Sequence, residues 1–171
     1  MLAYLTDVEG RWDELTSFAE GNPVVRLRGD AIELADGATF VFGGDAIDRG
    51  PHGRRLVRTL LAAKQRYGDR VILIAGNRDL NKLQLRRELE VAGPHAELLR
   101  TIFRQTMGAP HAFAHRASEL AQEGRAHDDE AVVASFVEDV RPGGELRAYL
   151  EQAQLAYRHG ATLFVHGGVN A

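Results

Sequence analysis

Residues 39–50 read TFVFGGDAIDRG. The opening TFVFG is short, apolar and rich in aromatic and β-branched side chains, the pattern of a buried strand. It breaks at Gly43-Gly44, where the backbone can approach a ligand closely, and delivers Asp45, Asp48 and Arg49 within a few residues. A carboxylate at a strand end is commonly a turn or capping residue. Asp48-Arg49 alone reads as a surface ion pair. The weight of the string comes from its neighbours.

Three other apolar runs end the same way. LAYLT leads to Asp7 and Glu9, VILIA to Asn77, Arg78 and Asp79, and TLFV to His166 followed by Gly167-Gly168. If these strands lie side by side, their C-terminal ends converge, where open α/β sheets bind ligands. Two carboxylates, an amide oxygen and an imidazole form a hard-to-borderline ligand set, suited to Mn²⁺, Fe, Zn²⁺ or Mg²⁺.

Between these runs the pattern changes to helical spacing. Leu56, Leu60 and Tyr67 follow it after Pro51, as do Val132, Phe136 and Val140, and Leu146, Leu150 and Tyr157. Further helices are expected near Asn81–Val91 and His95–Met107. PVVRLRG and AIELADG read as a hairpin turning at Gly29-Asp30. Strands alternating with helices give an α/β fold. The stretch from Asn81 to Tyr157 holds no convincing strand and reads as a helical insertion, at about 81–158, within a single domain spanning 1–171.

Composition narrows the classes. The 171 residues carry a net charge of -3, which speaks against general nucleic-acid binding. There is no cysteine, so disulfide frameworks and thiol nucleophiles are excluded. The N-terminus lacks the pattern of a secretory signal, and no run reaches transmembrane length. A cytoplasmic protein without membrane contact is the expectation.

Taken in order, TDVEG, GGDAIDRG, AGNRD and VHGG resemble the calcineurin-like metallophosphoesterases, nearest to the phosphoprotein phosphatase and diadenosine-tetraphosphatase branch. The likeness covers Leu2 to about Asp79 and Ala161 to Val169. It implies a sandwich fold, with the helical insertion between the third and fourth site-bearing strands. It also implies two divalent ions, Mn²⁺ first and Fe, Zn²⁺ or Mg²⁺ as alternatives. Asp45 matches the carboxylate bridging both ions. Asp7 matches a ligand of the first, and Asn77 and His166 match ligands of the second. Arg49 matches the arginine that holds the substrate phosphate, and Asp48 the carboxylate that orients a catalytic histidine. Two ions bridged by one carboxylate can clamp phosphate oxygens for in-line attack, and arginine's planar fork suits a phosphate.

The sequence departs from that pattern in three places. Glu9 stands where the family has a histidine ligand, and an oxygen there still suits Mn²⁺ or Mg²⁺. Arg78 stands where the family has the histidine that protonates the leaving group. A guanidinium cannot donate that proton, but it can stabilise charge on a phosphate. Its expected partners are Asp48 and Asp79, with an Asp48–Arg78 salt bridge as the structural alternative. Third, family members continue beyond the position of Ala171 with further histidine ligands and the rest of the sandwich. Exposed strand edges, and a second copy or a partner covering them, are therefore expected.

The expected function is hydrolysis of phosphomonoester or nucleotide polyphosphate bonds, on a phosphorylated small molecule, a nucleotide or a phosphoprotein. The metal set is Asp7, Glu9, Asp45, Asn77 and His166. Asp48, Arg49 and Arg78 form the catalytic set, and Arg49, Arg78 and Asn77 hold phosphate. One alternative is a weakened relative that binds metal or phosphate ligands. The other is a nucleic-acid phosphodiesterase using Arg54, Arg55 and Arg58.

Overall fold

The computed structural model describes residues 1–92 and 95–169. Its centre is a three-stranded parallel sheet made of β1 (Leu2–Leu5), β4 (Thr39–Phe42) and β5 (Val71–Leu73), in the order β1-β4-β5. Leu2 pairs with Thr39 and Phe40 with Val71, so the three strands end almost level. A parallel sheet needs cover on both faces, and alternate side chains divide accordingly. Phe40, Phe42 and Leu73 enter the main core with Leu56, Leu60 and Ala63 of α2 (Gly53–Tyr67). That core also takes in Val25 and Ile32 of the hairpin β2 (Val25–Arg28) and β3 (Ala31–Leu34), and Leu15 of α1 (Trp12–Glu20). The hairpin was expected. The short α1 was not, because its buried contribution rests on little more than Leu15 and Ala19.

Val41, Ile72 and Ile74 face the other way. They are covered by a second hairpin, β6 (Ala156–His159) and β7 (Thr162–Val165), through Tyr157 and Phe164. The Tyr4 and Phe164 rings lie 5.3 Å apart. Here the structure corrects the sequence reading twice. The TLFV strand does not join the main sheet but pairs with β6 alone. And β6 lies partly inside the span read as strandless, because Tyr157-Arg158-His159 has no apolar alternation. The hairpin leaves Leu155 and Leu163 exposed.

Between Asn77 and Gln152 the described residues form the helices α3 (Asn77–Ala92), α4 (Ala96–Gln105), α5 (Ala112–Gln122), α6 (Asp129–Val140) and α7 (Glu145–Gln152). These helices carry their own apolar cluster, in which Leu85, Leu99, Phe103, Phe113, Leu120, Val132 and Phe136 are buried. Helix α3 begins at Asn77, ahead of the expected Asn81, and so takes Arg78 into its first turn. No helix among the described residues is long and apolar enough to cross a membrane.

A buried charged network joins this helical cluster to α2. Arg54 bonds Asp139 at 2.9 Å, and Arg116 bonds the same carboxylate at 2.6 Å. The backbone N–H of Arg54 donates to Glu119 at 2.8 Å. Arg58 reaches Glu145 at 2.6 Å and Glu123 at 2.7 Å, and Arg55 pairs with Asp30 while lying over the Trp12 ring. The arginines considered for a nucleic-acid backbone are thus already engaged within the fold. Burial, ahead of the nearby Asp139 charge, pushes Glu119 from 4.5 up to about 7 against the pull of Arg116 and Arg54. Folding therefore favours its protonated form. That contribution to stability is complete below about pH 4.5 and is lost as pH rises to about 7, with a slope of at most about 1.4 kcal/mol per pH unit. Glu119→Gln is expected to flatten the melting-temperature profile across that window. An unchanged profile would show that the network compensates the burial.

Candidate metal centre

Three loops leave the level ends of β1, β4 and β5 and lock together through their backbones. Asp7 N–H donates to Gly44 O at 3.0 Å, Glu9 N–H to Asp45 O at 2.9 Å, and Arg49 and Gly50 N–H to Glu9 O at 2.9 and 2.8 Å. The approach is too close for side chains. A Cβ on Gly50 would stand 2.4 Å from Gly10 O, and one on Gly44 would stand 2.5 Å from Gly76 N. Asp79 fastens the arrangement from below: its carboxylate accepts the backbone N–H groups of Gly76, Asp45 and Ala46, each at 2.9 Å. Burial, with Asp45 adding to it, pushes Asp79 up to about 6, while those donated hydrogen bonds hold it down.

The cost of the arrangement appears in the backbone. Asp7, Glu9, Asp45 and Asp48 have φ of 56°, 54°, 55° and 102°, and among the described residues no other non-glycine has a positive φ. Such conformations cost roughly 1–3 kcal/mol each and persist where the surroundings over-determine them. Here the strain falls on four acidic residues at one sheet edge.

Asp7, Asp45 and His166 each present a ligand atom within 4.8 Å of the others. His166 Nδ1 lies 2.8 Å from Gly43 O, which can only accept, so this nitrogen carries the proton. With the ring neutral, Nε2 would turn a lone pair toward Asn77 Oδ1 at 3.0 Å and Asp45 Oδ1 at 3.4 Å. Lone pairs converging like this call for a cation between them. In an octahedral site with bonds of about 2.1 Å, adjacent ligand atoms stand about 3 Å apart. The 3.0 and 3.4 Å spacings of His166, Asn77 and Asp45 suit neighbouring ligands of one divalent ion, with Asp7 within 4.8 Å of Asp45 and His166. The Nδ1–H bond to Gly43 O sets the tautomer such a ligand needs.

Glu9 is not part of this group. Its side chain is 4% exposed and is taken up by arginines: Arg78 Nε at 2.7 Å, and Arg11 and Arg49 at 3.4 Å each. Arg78 also approaches Asp45 Oδ2 at 3.4 Å and donates to Met107 O at 2.7 Å. The expected partnership of Arg78 with Asp48 and Asp79 is not formed. Asp48 is bonded instead by Lys82, a residue the sequence reading passed over. Lys82 lies one helical turn after Arg78 on the same face of α3, 1% exposed and over the Phe103 ring. Burial lowers its pKa, with Asp48 opposing. Arg49, with 51% of its side chain exposed, is the arginine left open to a ligand. The helical span also reaches the site: Met107 O holds Arg78, and His115 lines a small pocket with Asp48 and Gly50.

The family model described as calcineurin-like phosphoesterase matches residues 2–170. Among solved structures, a cold-active protein-tyrosine phosphatase of a psychrophilic Shewanella species shares the fold, with a TM-score of 0.59 at 17% identity. That alignment covers 99% of this chain and 42% of the other. A search of curated proteins returned no match. With the family model spanning nearly every residue from the first strand to the loop after His166, the chain belongs to the calcineurin-like phosphoesterases.

Proposed function

We propose that the chain hydrolyses phosphate esters with the help of a divalent ion, acting on phosphomonoesters or nucleotide polyphosphates. The observation that carries the reading is the convergence of His166 Nε2, Asn77 Oδ1 and Asp45 Oδ1 beside Asp7, with the exposed Arg49 at the rim. An ion held there would polarise a phosphoryl oxygen and lower the pKa of a water it binds. Mn²⁺ is the ion proposed, since three of the donors are oxygens and one is an imidazole. Arg49 gives up only long contacts to Glu9 in turning its fork toward a phosphate. In this reading residues 1–171 form one unit, cytoplasmic in location, and the helices between Asn77 and Gln152 shape specificity through Met107 and His115.

Arg78 supports a narrower statement about substrates. It stands at the site as a permanent cation, so it can stabilise a departing oxygen but cannot protonate it. Leaving groups that depart without a proton, such as phenolates and polyphosphates, are therefore favoured over alkoxides. The same residue favours a second reading, a relative that binds metal and phosphate but turns over slowly. Hydrolysis of an aryl phosphate with and without added Mn²⁺ tests both. A metal-dependent rate above that of Asp45→Asn supports the enzyme. Metal and phosphate binding without such a rate supports the second reading.

A further inference from the structure

Asp45 has its two oxygens turned in different directions. Oδ1 faces His166 and the proposed ion site, and Oδ2 faces the guanidinium of Arg78 at 3.4 Å. The same guanidinium nitrogen, Nε, also meets Glu9 Oε1 at 2.7 Å, and Met107 O holds Nη1 at 2.7 Å. Glu9 and Asp45 are each 3% exposed and Arg78 9%. The carboxylate that would bridge two ions therefore bridges one ion site and one arginine, and the glutamate that would serve the other ion is already occupied by cationic side chains.

We propose that Arg78 takes the place of one of the two ions, so that the chain binds a single divalent cation and supplies its second positive centre as a fixed guanidinium. The proposal rests on the metal-dependent reading above and names the composition of that same site. Charge supports it. Glu9 is already matched by Arg78, Arg11 and Arg49, which leaves the two negative charges of Asp7 and Asp45 for one divalent ion. Chemistry supports it too. Arginine cannot lose its proton to make way for a metal. Admitting a second ion between Glu9 and Asp45 would strand a buried cation held only by a carbonyl. Helix α3, by starting at Asn77, points Arg78 into the place between the two carboxylates. The arginine is then a positioning and charge-balancing group in the free protein.

The test is a metal count. The full chain is dialysed against Mn²⁺, assayed for bound metal, and its electron paramagnetic resonance spectrum recorded. The expected result is one Mn²⁺ per chain with the spectrum of an isolated ion. Glu9→Gln should keep that count, because Glu9 is outside the donor group. Arg78→Gln should raise it toward two, with an exchange-coupled spectrum, because the place beside Glu9 is vacated. Two ions in the unaltered chain would overturn the proposal and leave the phosphoesterase reading standing. No bound ion would overturn both. A count of one in a folded Arg78→Gln would overturn the claim that the guanidinium holds an ion's place. Should that variant not fold, the count and spectrum of the unaltered chain and of Glu9→Gln decide the matter.

Discussion

Asp45→Asn is expected to cost about three orders of magnitude in metal-dependent hydrolysis while leaving the protein folded. The carboxylate is the member of the donor group that also faces Arg78, so its charge serves both the ion and the guanidinium. Losing several kcal/mol of transition-state charge stabilisation corresponds to a rate loss of about a thousandfold. The fold should tolerate the change. Asparagine keeps an oxygen for the Arg78 backbone N–H, which now reaches Asp45 Oδ1 at 2.9 Å. It also removes a negative charge beside Asp79. Melting without metal should move by no more than about 4 °C, equivalent to about 1–2 kcal/mol at this chain length. A collapse in melting temperature would mean that Asp45 is structural first. A rate within tenfold of the parent would place the ion elsewhere.

The largest effect on stability is expected at Lys82. Lys82→Met keeps most of the apolar stem but leaves Asp48 buried beside an uncharged neighbour. Removing one partner of a buried ion pair costs about 3–5 kcal/mol. For a chain of this length that is a fall in melting temperature of about 10 °C. Adding Asp48→Asn to the Lys82→Met background should recover a good part of the loss, because the stranded charge disappears. Calorimetry on the four members of this cycle gives the coupling directly. A single-variant loss under about 1 kcal/mol would show that water or another cation reaches Asp48.

The site was legible in the sequence where it depended on strand ends. Asp7, Asp45, Asn77 and His166 each follow a short apolar run, and a level parallel sheet brings the first three together whatever else the chain does. The partners of the charged side chains were not legible. Asp48 finds Lys82, and Glu9 finds Arg78, through the rotation of α3, which is set by where that helix starts. A start at Asn81 would have left Arg78 in a loop. Starting at Asn77 places Arg78 and Lys82 on one face, each opposite a different carboxylate. The fold shows the same division. Alternation and turn residues marked β2 and β3, and helical spacing marked α2, α6 and α7. Strand β6 escaped because its role is to cover Val41 and Ile72 through one aromatic residue, Tyr157, rather than through an apolar run.

The delivery of His166 by a separate hairpin has a thermodynamic consequence. Strands β6 and β7 pair with each other; the hairpin is tied to the sheet by the Gln154 bridge to Ile74 just before it and the His166 bond to Gly43 O just after it, and otherwise rests on a small aromatic and aliphatic patch. Segments held this way open at a free energy below that of global unfolding. One ligand of the proposed ion thus belongs to the easily opened part, while Asp7, Asp45 and Asn77 belong to the sheet and its loops. An ion bridging the two would stabilise the closed state by RT ln(1 + [L]/Kd), about 2.7 kcal/mol at a concentration of about 100 Kd. Metal supply would then regulate the persistence of the hairpin, and the ion would act as a clasp between a rigid frame and a latch that otherwise frays.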